Sequence, residues 1–305
     1  MFFGKPAFNP DVDIPDLDGQ VIIVTGGNVG LGLETIRQLA KHNPAVIYLA
    51  ARSQEKAEAA IAEINEENPK AAPIKYLALD LSSFASIKAA SKTFLEAEKR
   101  LDILINNAGV MMIAEGLTAE GYEVQFGTNC LGHALLTQLL LPLLETTTKR
   151  NKETRVVTVA SAAESMGPND VYKLPELRTV MSNRSTQARY CISKLANIHY
   201  SVGMAEQCKT VKFITVHPGM VATNLHHNAV GFFLTAFLNT AVWTFATPVK
   251  KGALSQIYAA VSPDVVSGGL YAPTAVEWKS TARSKDPVLR EQIFGYIQEQ
   301  LKQHL

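Results

Sequence analysis

The chain has 305 residues, of which 47% are hydrophobic and 19% charged, a composition typical of a globular protein with a substantial core. Its 29 basic and 28 acidic residues give a formal charge of +1, which leaves no electrostatic case for nucleic-acid binding. Cys130, Cys191 and Cys208 are far apart in the sequence, so neither a disulfide framework nor a zinc site is indicated. Reduced thiols and an N-terminus without a signal-peptide pattern favour a cytoplasmic protein.

Strand and helix patterns alternate along the chain. Residues 1–18 are rich in proline and favour a surface arm. Apolar runs rich in β-branched residues then predict buried strands, at 21–25, 45–50, 74–79, 102–105, 155–160 and 211–216. Segments with apolar residues at helical spacing lie between these strands, at 31–42, 53–67 and 83–100, from after Gly109 to about 146, and at 186–207. A last amphipathic helix covers 286–303. The alternation predicts one doubly wound α/β domain over residues 1–305, with helices on both faces of a parallel sheet.

A glycine-rich turn follows the first strand, with the sequence Thr25-Gly26-Gly27-Asn28-Val29-Gly30-Leu31-Gly32. Glycines permit a sharp turn and a close approach of the backbone to a pyrophosphate, and the helix N-terminus that follows offers free N–H groups. The spacing differs from the common G-x-G-x-x-G fingerprint. The alternative is that these glycines only permit a tight turn and bind no phosphate. The predicted phosphate-binding residues are Gly26, Asn28, Gly30, Leu31 and Gly32.

The second strand ends at an arginine. In sheets of this type an acidic residue at that point selects NAD, whereas an arginine accommodates the 2′-phosphate of NADP. Arg52, with Ser53 and Lys56 beside it, therefore predicts NADP(H), with an exposed structural arginine as the alternative. The ends of the third and fourth strands supply the other predicted cofactor contacts. Asp80 and Leu81 would lie beside the adenine, and Asn107, Ala108 and Gly109 would line the crevice. The alternative for the residues after the fourth strand is that they only form a turn.

Tyr190 and Lys194 are four residues apart in a predicted helix, which places both side chains on one face. A phenol has an ordinary pKa of about 10, and we expect the neighbouring ammonium to favour the phenolate. Tyr190 would then protonate a carbonyl oxygen in reduction and accept the alcohol proton in oxidation. The same spacing also arises by chance in many helices.

Two further polar residues belong to the predicted site. Ser161 ends the fifth strand, where its hydroxyl would emerge at the crevice and hold the substrate oxygen. Asn129 lies in predicted helix and is expected to position a water chain to Lys194, with hydrogen bonding to backbone as the alternative.

Together these motifs resemble the short-chain dehydrogenase/reductase family, from about residue 19 to residue 275. The sequences around Ala51-Arg52-Ser53, Leu131-Gly132-His133 and residues 190–197 are similar to its retinol dehydrogenase and WW-domain oxidoreductase branch, which includes fungal tailoring reductases. The resemblance implies a Rossmann-type sheet of about seven strands and a catalytic tetrad of Asn129, Ser161, Tyr190 and Lys194. It also implies cofactor contacts from Tyr190, Lys194, Pro218, Gly219, Val221 and Thr223.

One position departs from the family pattern. NADP-dependent members often carry a basic residue in the glycine turn, whereas this chain has Asn28. Arg52 is therefore expected to carry most of the selectivity for the phosphate.

Residues 221–250 are strongly apolar and correspond to the family's substrate lid. The expected substrate is a bulky apolar ketone, aldehyde or alcohol, and Met111 and Met112 either line its pocket or pack in the core. The run 230–246 is short for a spanning helix, so peripheral membrane contact is the alternative use of this surface. Adjacent His226 and His227 do not indicate a metal site. The last helix shapes the pocket or a homodimer contact.

The leading functional prediction is an NADPH-dependent oxidoreductase that interconverts a carbonyl compound and an alcohol. A second hypothesis keeps the cofactor site for double-bond reduction, dehydration or cyclisation. A third, from a different class, is a nucleotide-sensing scaffold without turnover, which fits less well because all four tetrad positions carry suitable side chains.

Overall fold

A computed structural model describes residues 8–221 and 247–305 of the protein, and one eight-stranded sheet forms its centre. The strands are β1 Val21–Thr25, β2 Val46–Ala51, β3 Ile74–Ala78, β4 Ile103–Asn106, β5 Arg155–Val159, β6 Lys212–Val216, β7 Leu270–Ala272 and β8 Val276–Glu277. Their order is β3-β2-β1-β4-β5-β6-β7-β8. The neighbouring pairs from β3 to β7 are parallel, so the predicted Rossmann-type fold is confirmed.

The sheet has one strand more than the resemblance implied. β8 contains two exposed residues and pairs antiparallel with β7, with Tyr271 opposite Glu277. The hairpin between them passes through Ala275 at φ +64°. A two-residue exposed strand has no apolar alternation, so the sequence gives little sign of it.

Helices cover both faces of the sheet. Their bounds are α1 Pro10–Asp13, α2 Gly30–Leu39, α3 Gln54–Glu67, α4 Phe84–Ala97, α5 Val124–Phe126, α6 Gly132–Thr147, α7 Thr186–Gln207, α8 Val249–Val261 and α9 Pro287–Leu301. Side chains of β1 alternate between two cores: Val21 and Ile23 pack with α4, α6, α7 and α9. Ile22 and Val24 pack with α2, α3 and α8. Burial of both faces explains why β1 is continuously apolar.

Part of the predicted surface arm is built into the core. Asn9 caps the short helix α1 through its side chain, which accepts a hydrogen bond from the Asp11 N–H. Ile14 and Leu17 are then almost fully buried against the α2 and α3 face of the sheet. The prolines start and end a helical turn here, and the two apolar residues hold it to the domain.

The predicted long helix before residue 146 contains a change of helical type. A π-helical turn, Gly127–Leu131, separates α5 from α6. Such turns insert one residue into the α-helical pattern and are frequent at functional sites. Asn129 lies in this turn and is fully buried.

Several predictions fall outside the described residues. These are residues 1–7 of the arm, Thr223, His226 with His227, and most of the predicted lid, 222–246. Within the described part of the chain, no helix is both long and apolar enough to cross a bilayer. In that same part, no three His, Cys, Asp or Glu side chains are grouped so that they could hold a metal ion.

Candidate active site

The glycine turn after β1 is tight because two glycines have left-handed backbone and a third has no room for a side chain. Gly26 and Gly30 have φ values of +64° and +59°, which favour glycine. A Cβ at Gly32 would lie 2.4 Å from the Gly26 carbonyl oxygen. The Asn107 amide also ties β4 to this turn, donating to the Thr25 carbonyl at 2.8 Å.

The helix that follows the turn begins without a side-chain cap. Its N-cap residue is Val29, whose side chain is apolar and 49% exposed. The N–H groups of the first turn of α2 therefore have no capping oxygen from that residue. Unpaired N–H groups and the positive end of the helix dipole are suited to binding phosphate oxygens. Asn28 and Leu31 are half-buried at this turn.

The carboxyl end of β2 brings Arg52 beside the glycine turn. Ala50 is opposite Thr25 in the parallel register, and its carbonyl accepts the Gly26 N–H at 2.7 Å. Arg52 is exposed two residues further on, and among the described residues its guanidinium has no hydrogen-bonding or ionic partner. Ser53 accepts the Lys56 N–H at 3.3 Å and so caps α3. Arg52 is thus free to bind a ligand, whereas the Ser53 hydroxyl already has a structural role.

The end of β3 is held by its own side chains. The Asp80 carboxylate accepts hydrogen bonds from the backbone N–H and hydroxyl of Ser82, at 2.9 and 2.7 Å. Leu81 is buried, and a Cβ at Gly132 would lie 2.3 Å from its carbonyl oxygen. Asp80 therefore shapes this loop, and α6 begins in direct contact with it.

The segment after β4 lines the crevice with backbone. The Thr25 hydroxyl oxygen accepts the N–H groups of Asn107 and Ala108, each at 3.0 Å. A Cβ at Gly109 would be 3.1 Å from the Asn129 side-chain oxygen and 3.7 Å from Lys194 Nζ. Gly109 thus lies between two of the predicted tetrad residues.

Tyr190 and Ser161 meet at the carboxyl end of β5. Ser161 follows that strand and caps the 3₁₀ turn Ala162–Met166, accepting the Ala163 N–H at 3.2 Å. Its hydroxyl is near enough to the Tyr190 phenol, which is 5% exposed, to affect the acidity of the phenol. Burial raises the pKa of Tyr190 to about 12, although the Ser161 hydroxyl acts in the opposite direction. Desolvation is the larger effect, so the phenol stays protonated at neutral pH in this state. The expected effect of Lys194 on the phenolate stays a prediction.

Lys194 is buried on the same face of α7 as Tyr190. Its Nζ donates to the Val159 carbonyl at 2.8 Å and lies 5.8 Å from the centroid of the Tyr190 ring. Burial lowers the pKa of Lys194 to about 8, so the ammonium is still the main form at neutral pH. The β5 backbone therefore anchors the lysine beside the phenol.

Asn129 uses its whole side-chain amide within the protein. The amide nitrogen donates to the Val110 carbonyl at 2.9 Å and to the Ser193 hydroxyl at 3.0 Å. The amide oxygen accepts the Val110 N–H at 2.7 Å. The side chain therefore fixes the loop after β4 against α7. Of the two expectations for Asn129, these contacts correspond to hydrogen bonding with the backbone. Within the described residues, no hydrogen bond joins the Asn129 side chain directly to Lys194.

The chain returns to the glycine turn after β6. Gly219, at φ +86°, donates its N–H to His217 Nδ1 at 3.3 Å, directly after Pro218. A Cβ at Gly252 of α8 would lie 2.6 Å from a methyl group of Val221 and 3.0 Å from one of Leu31. Val221 is thus placed near the start of α2, on the same edge of the sheet as the predicted cofactor contacts.

Two residues of this site were not predicted from the sequence. The first, Gly252, could have been found from the sequence, since a glycine inside a helical pattern suggests close packing. His133 joins the Thr25 hydroxyl to the Asn129 carbonyl, at 2.9 Å on each side. Nothing in the local sequence identifies a partner 108 residues away.

The sheet order and the glycine turn define a Rossmann-type α/β protein, the fold class in which dinucleotides bind at the carboxyl edge of the strands. A family model described as short chain dehydrogenase matches residues 20–172. A short-chain dehydrogenase/reductase of Armillaria gallica is 38% identical over 311 residues, covering 100% of this chain and 97% of the relative. Retinol dehydrogenase 11 of Homo sapiens is 35% identical over 281 residues, covering 90% and 83%.

A solved structure has the same fold. A protein from Mycobacterium paratuberculosis matches with a TM-score of 0.73 and 25% identity, over 97% of this chain and 98% of that one. The chain therefore belongs to the short-chain dehydrogenase/reductase family, as its motifs predicted. It is an oxidoreductase related to the retinol dehydrogenase branch.

Proposed function

We propose that this chain is an NADP(H)-dependent oxidoreductase, folded as a single domain, that interconverts a bulky apolar ketone or aldehyde and the corresponding alcohol. The observation that carries this proposal is that the Ser161 hydroxyl lies near the Tyr190 phenol, with the Lys194 ammonium on the same helical face as the phenol. These three groups supply a proton donor, a hydrogen-bond donor for the substrate oxygen and a nearby positive charge.

The residues at the carboxyl edge fit a nicotinamide dinucleotide. The Gly26 to Gly32 turn is so tight that a Cβ at Gly32 would lie 2.4 Å from the Gly26 carbonyl oxygen, and α2 offers N–H groups that lack a side-chain cap from Val29. Both features suit a pyrophosphate. The unpartnered guanidinium of Arg52 suits the 2′-phosphate that distinguishes NADP from NAD.

The proposed reaction is the reduction of a carbonyl group. When bound, NADPH would supply the hydride for the carbonyl carbon. Tyr190 gives its phenolic proton to the carbonyl oxygen, and Ser161 donates a hydrogen bond to that oxygen as negative charge develops on it. A raised pKa keeps Tyr190 protonated at neutral pH, which favours its role as the acid. The Lys194 ammonium then stabilises the phenolate that remains.

The substrate class follows from the apolar surroundings of the phenol. Tyr190 packs in a small cluster with Met112, Ala163 and Cys191, and Met111 packs against it. Methionine side chains adapt to irregular apolar ligands. The name of the human relative, retinol dehydrogenase 11, points in the same direction. Retinal, a long apolar aldehyde, is therefore a suitable first probe. Contact with a membrane surface and homodimer formation stay predictions from the sequence.

Oxidation of NADPH in the presence of retinal or bulky aromatic ketones tests the proposal. We expect turnover with NADPH and a lower kcat/KM with NADH. Tyr190→Phe should reduce kcat by about 10²–10⁴-fold, the usual contribution of general acid catalysis, while the Kd for NADPH changes little. Val12→Ala, at an exposed position on α1, is the matched control. Turnover by Tyr190→Phe within a few-fold of wild type would contradict the assignment, and product analysis separates carbonyl reduction from double-bond reduction.

A further inference from the structure

A chain of buried hydrogen bonds connects the glycine turn with the π-helical turn. His133, on the first turn of α6, is 3% exposed. Its Nε2 lies 2.9 Å from the Thr25 hydroxyl, and its Nδ1 lies 2.9 Å from the Asn129 carbonyl oxygen. One imidazole therefore contacts both the cofactor side and the catalytic side of the predicted site.

The partners of the ring determine its protonation. A carbonyl oxygen can only accept, so Nδ1 carries the proton and donates it to Asn129. The Thr25 oxygen already accepts two backbone N–H groups, from Asn107 and Ala108. Its own hydroxyl proton is then donated to Nε2 of a neutral imidazole. Burial agrees with the neutral form, because it lowers the pKa of His133 to about 4.

We propose that His133 is a positioning residue that links the two halves of the active site, holding Thr25 for cofactor binding and Asn129 for the catalytic step. The inference rests on the proposed NADP(H)-dependent function. Each end of the link has a separate consequence for the site.

At the cofactor end, Thr25 organises the backbone that faces the dinucleotide. Its hydroxyl oxygen holds the N–H groups of Asn107 and Ala108, and its carbonyl accepts the Asn107 amide at 2.8 Å. The Thr25 hydroxyl has one proton, and its nearest acceptors are His133 Nε2 and, at 3.4 Å, the Ile105 carbonyl. Loss of the imidazole would leave Thr25 free to rotate and so loosen the loop over the crevice.

At the catalytic end, His133 supports a turn that lacks regular α-helical pairing. Asn129 lies within the π-helical residues Gly127–Leu131, and His133 contributes a side-chain donor to its carbonyl from four residues further on. The Asn129 amide in turn holds the Val110 backbone and the Ser193 hydroxyl. Ser193 lies on α7, three residues after Tyr190. A looser π-helical turn would therefore disturb the phenol and ammonium without removing either group.

Three substitutions separate the two ends. In His133→Asn, the amide nitrogen replaces Nδ1 and keeps the bond to Asn129, but nothing reaches Thr25. In His133→Gln, the amide oxygen replaces Nε2 and keeps the bond to Thr25, but the donor to Asn129 is lost. His133→Phe removes both bonds and keeps the approximate volume. Thr147→Val is the matched control, because it removes a buried acceptor of the Leu101 N–H at the other end of the same helix.

Amide hydrogen exchange, NADPH titration and steady-state kinetics with retinal are the three measurements. We expect His133→Asn to speed exchange in residues 21–32 and raise the Kd for NADPH about tenfold, with kcat close to wild type. His133→Gln should speed exchange in residues 127–133 and lower kcat about tenfold, with Kd within twofold. His133→Phe should show both changes, and Thr147→Val neither.

The proposal is overturned if the Asn and Gln variants change the same peptides and the same constants. It is also overturned if all variants, Thr147→Val included, lose stability while Kd and kcat stay at wild-type values, because His133 would then only stabilise the fold. Failure of the wild type to bind NADPH would refute the proposed function instead. In that case the exchange patterns of the two peptides still decide whether His133 links them.

Discussion

The Tyr190 phenol on α7 lies near the hydroxyl of Ser161, which follows β5 and caps the next 3₁₀ turn. The Ser161 hydroxyl opposes the effect of burial on the phenol, because it favours the ionised form. The acidity of Tyr190 therefore depends on the position of a residue just beyond the end of β5. One substitution at Ser161, with a matched control, should test the role of the hydroxyl.

Replacement of Ser161 by alanine should raise the pKa of Tyr190 further, because the hydroxyl that favours the phenolate is lost. The rising limb of kcat/KM against pH for alcohol oxidation should move to higher pH, since that direction requires the phenolate. We expect kcat to fall by about 10²–10³-fold, as for the loss of one donor to a developing oxyanion. Ser165→Ala, on the same 3₁₀ turn but exposed, is the control. An unchanged pH profile would argue against this effect of the Ser161 hydroxyl in the active enzyme.

Replacement of Arg52 by alanine should change the choice of cofactor and leave catalysis intact. The kcat/KM with NADPH should fall about 10–100-fold, which corresponds to the loss of charge-assisted hydrogen bonds to a phosphate. The kcat/KM with NADH should stay within about twofold of wild type, because NADH has a 2′-hydroxyl and no 2′-phosphate for Arg52 to bind. Lys70→Ala, beyond the far end of α3, is the control. A parallel loss with both cofactors would place Arg52 outside the phosphate site.

Two glycine-to-alanine substitutions should have opposite effects. A Cβ at Gly32 would lie 2.4 Å from a backbone oxygen, whereas Gly295 on α9 has no heavy atom within 4 Å of the added carbon. Gly32→Ala should therefore disrupt the turn and raise the Kd for NADPH more than tenfold. Gly295→Ala should stabilise the protein by about 0.5–1 kcal/mol. NADPH titration and urea unfolding of both variants provide the measurements, and tight NADPH binding by Gly32→Ala would contradict the crowded turn.

The centre of the sheet was predictable because β1, β2 and β4 are almost entirely apolar. Burial on both faces removes polar residues from β1, and the glycine turn marks its end. The bounds of α7 agree with the predicted 186–207, since Ser185 caps its start. β8 and the π-helical turn were missed, the first because it is short and exposed, the second because one inserted residue does not disturb a long apolar segment.

The sequence identified candidate side chains for the site, but it did not predict most of the hydrogen bonds between them. Spacing placed Tyr190 beside Lys194 and the strand end placed Ser161 near them, since both rules are local. The Asn129 bonds to Val110 and the His133 bond to Thr25 depend on segments brought together by the fold. The pKa of Tyr190 depends on how deeply the phenol is buried, which a sequence pattern does not specify.

Lys194 should make the stability of the protein depend on pH. Burial lowers its pKa from 10.5 to about 8, so between these values the unfolded chain binds more protons than the native state. The native state is then penalised fully below pH 8, and the penalty disappears as the pH rises toward 10.5. Lys194→Met removes the buried charge. The unfolding free energy of the variant minus that of wild type should therefore fall by about 3 kcal/mol between pH 7 and pH 10.5.

Urea unfolding at a series of pH values measures this difference, with Lys149→Met, on the exposed loop after α6, as the control for the loss of one lysine. The absolute difference also contains the lost hydrogen bond to the Val159 carbonyl, but both the ammonium and the neutral amine can donate that bond, so it persists across the pH range. The slope therefore isolates the buried charge. A constant difference across the range would mean that Lys194 is not destabilised by burial, and its ammonium would then be solvated near the phenol.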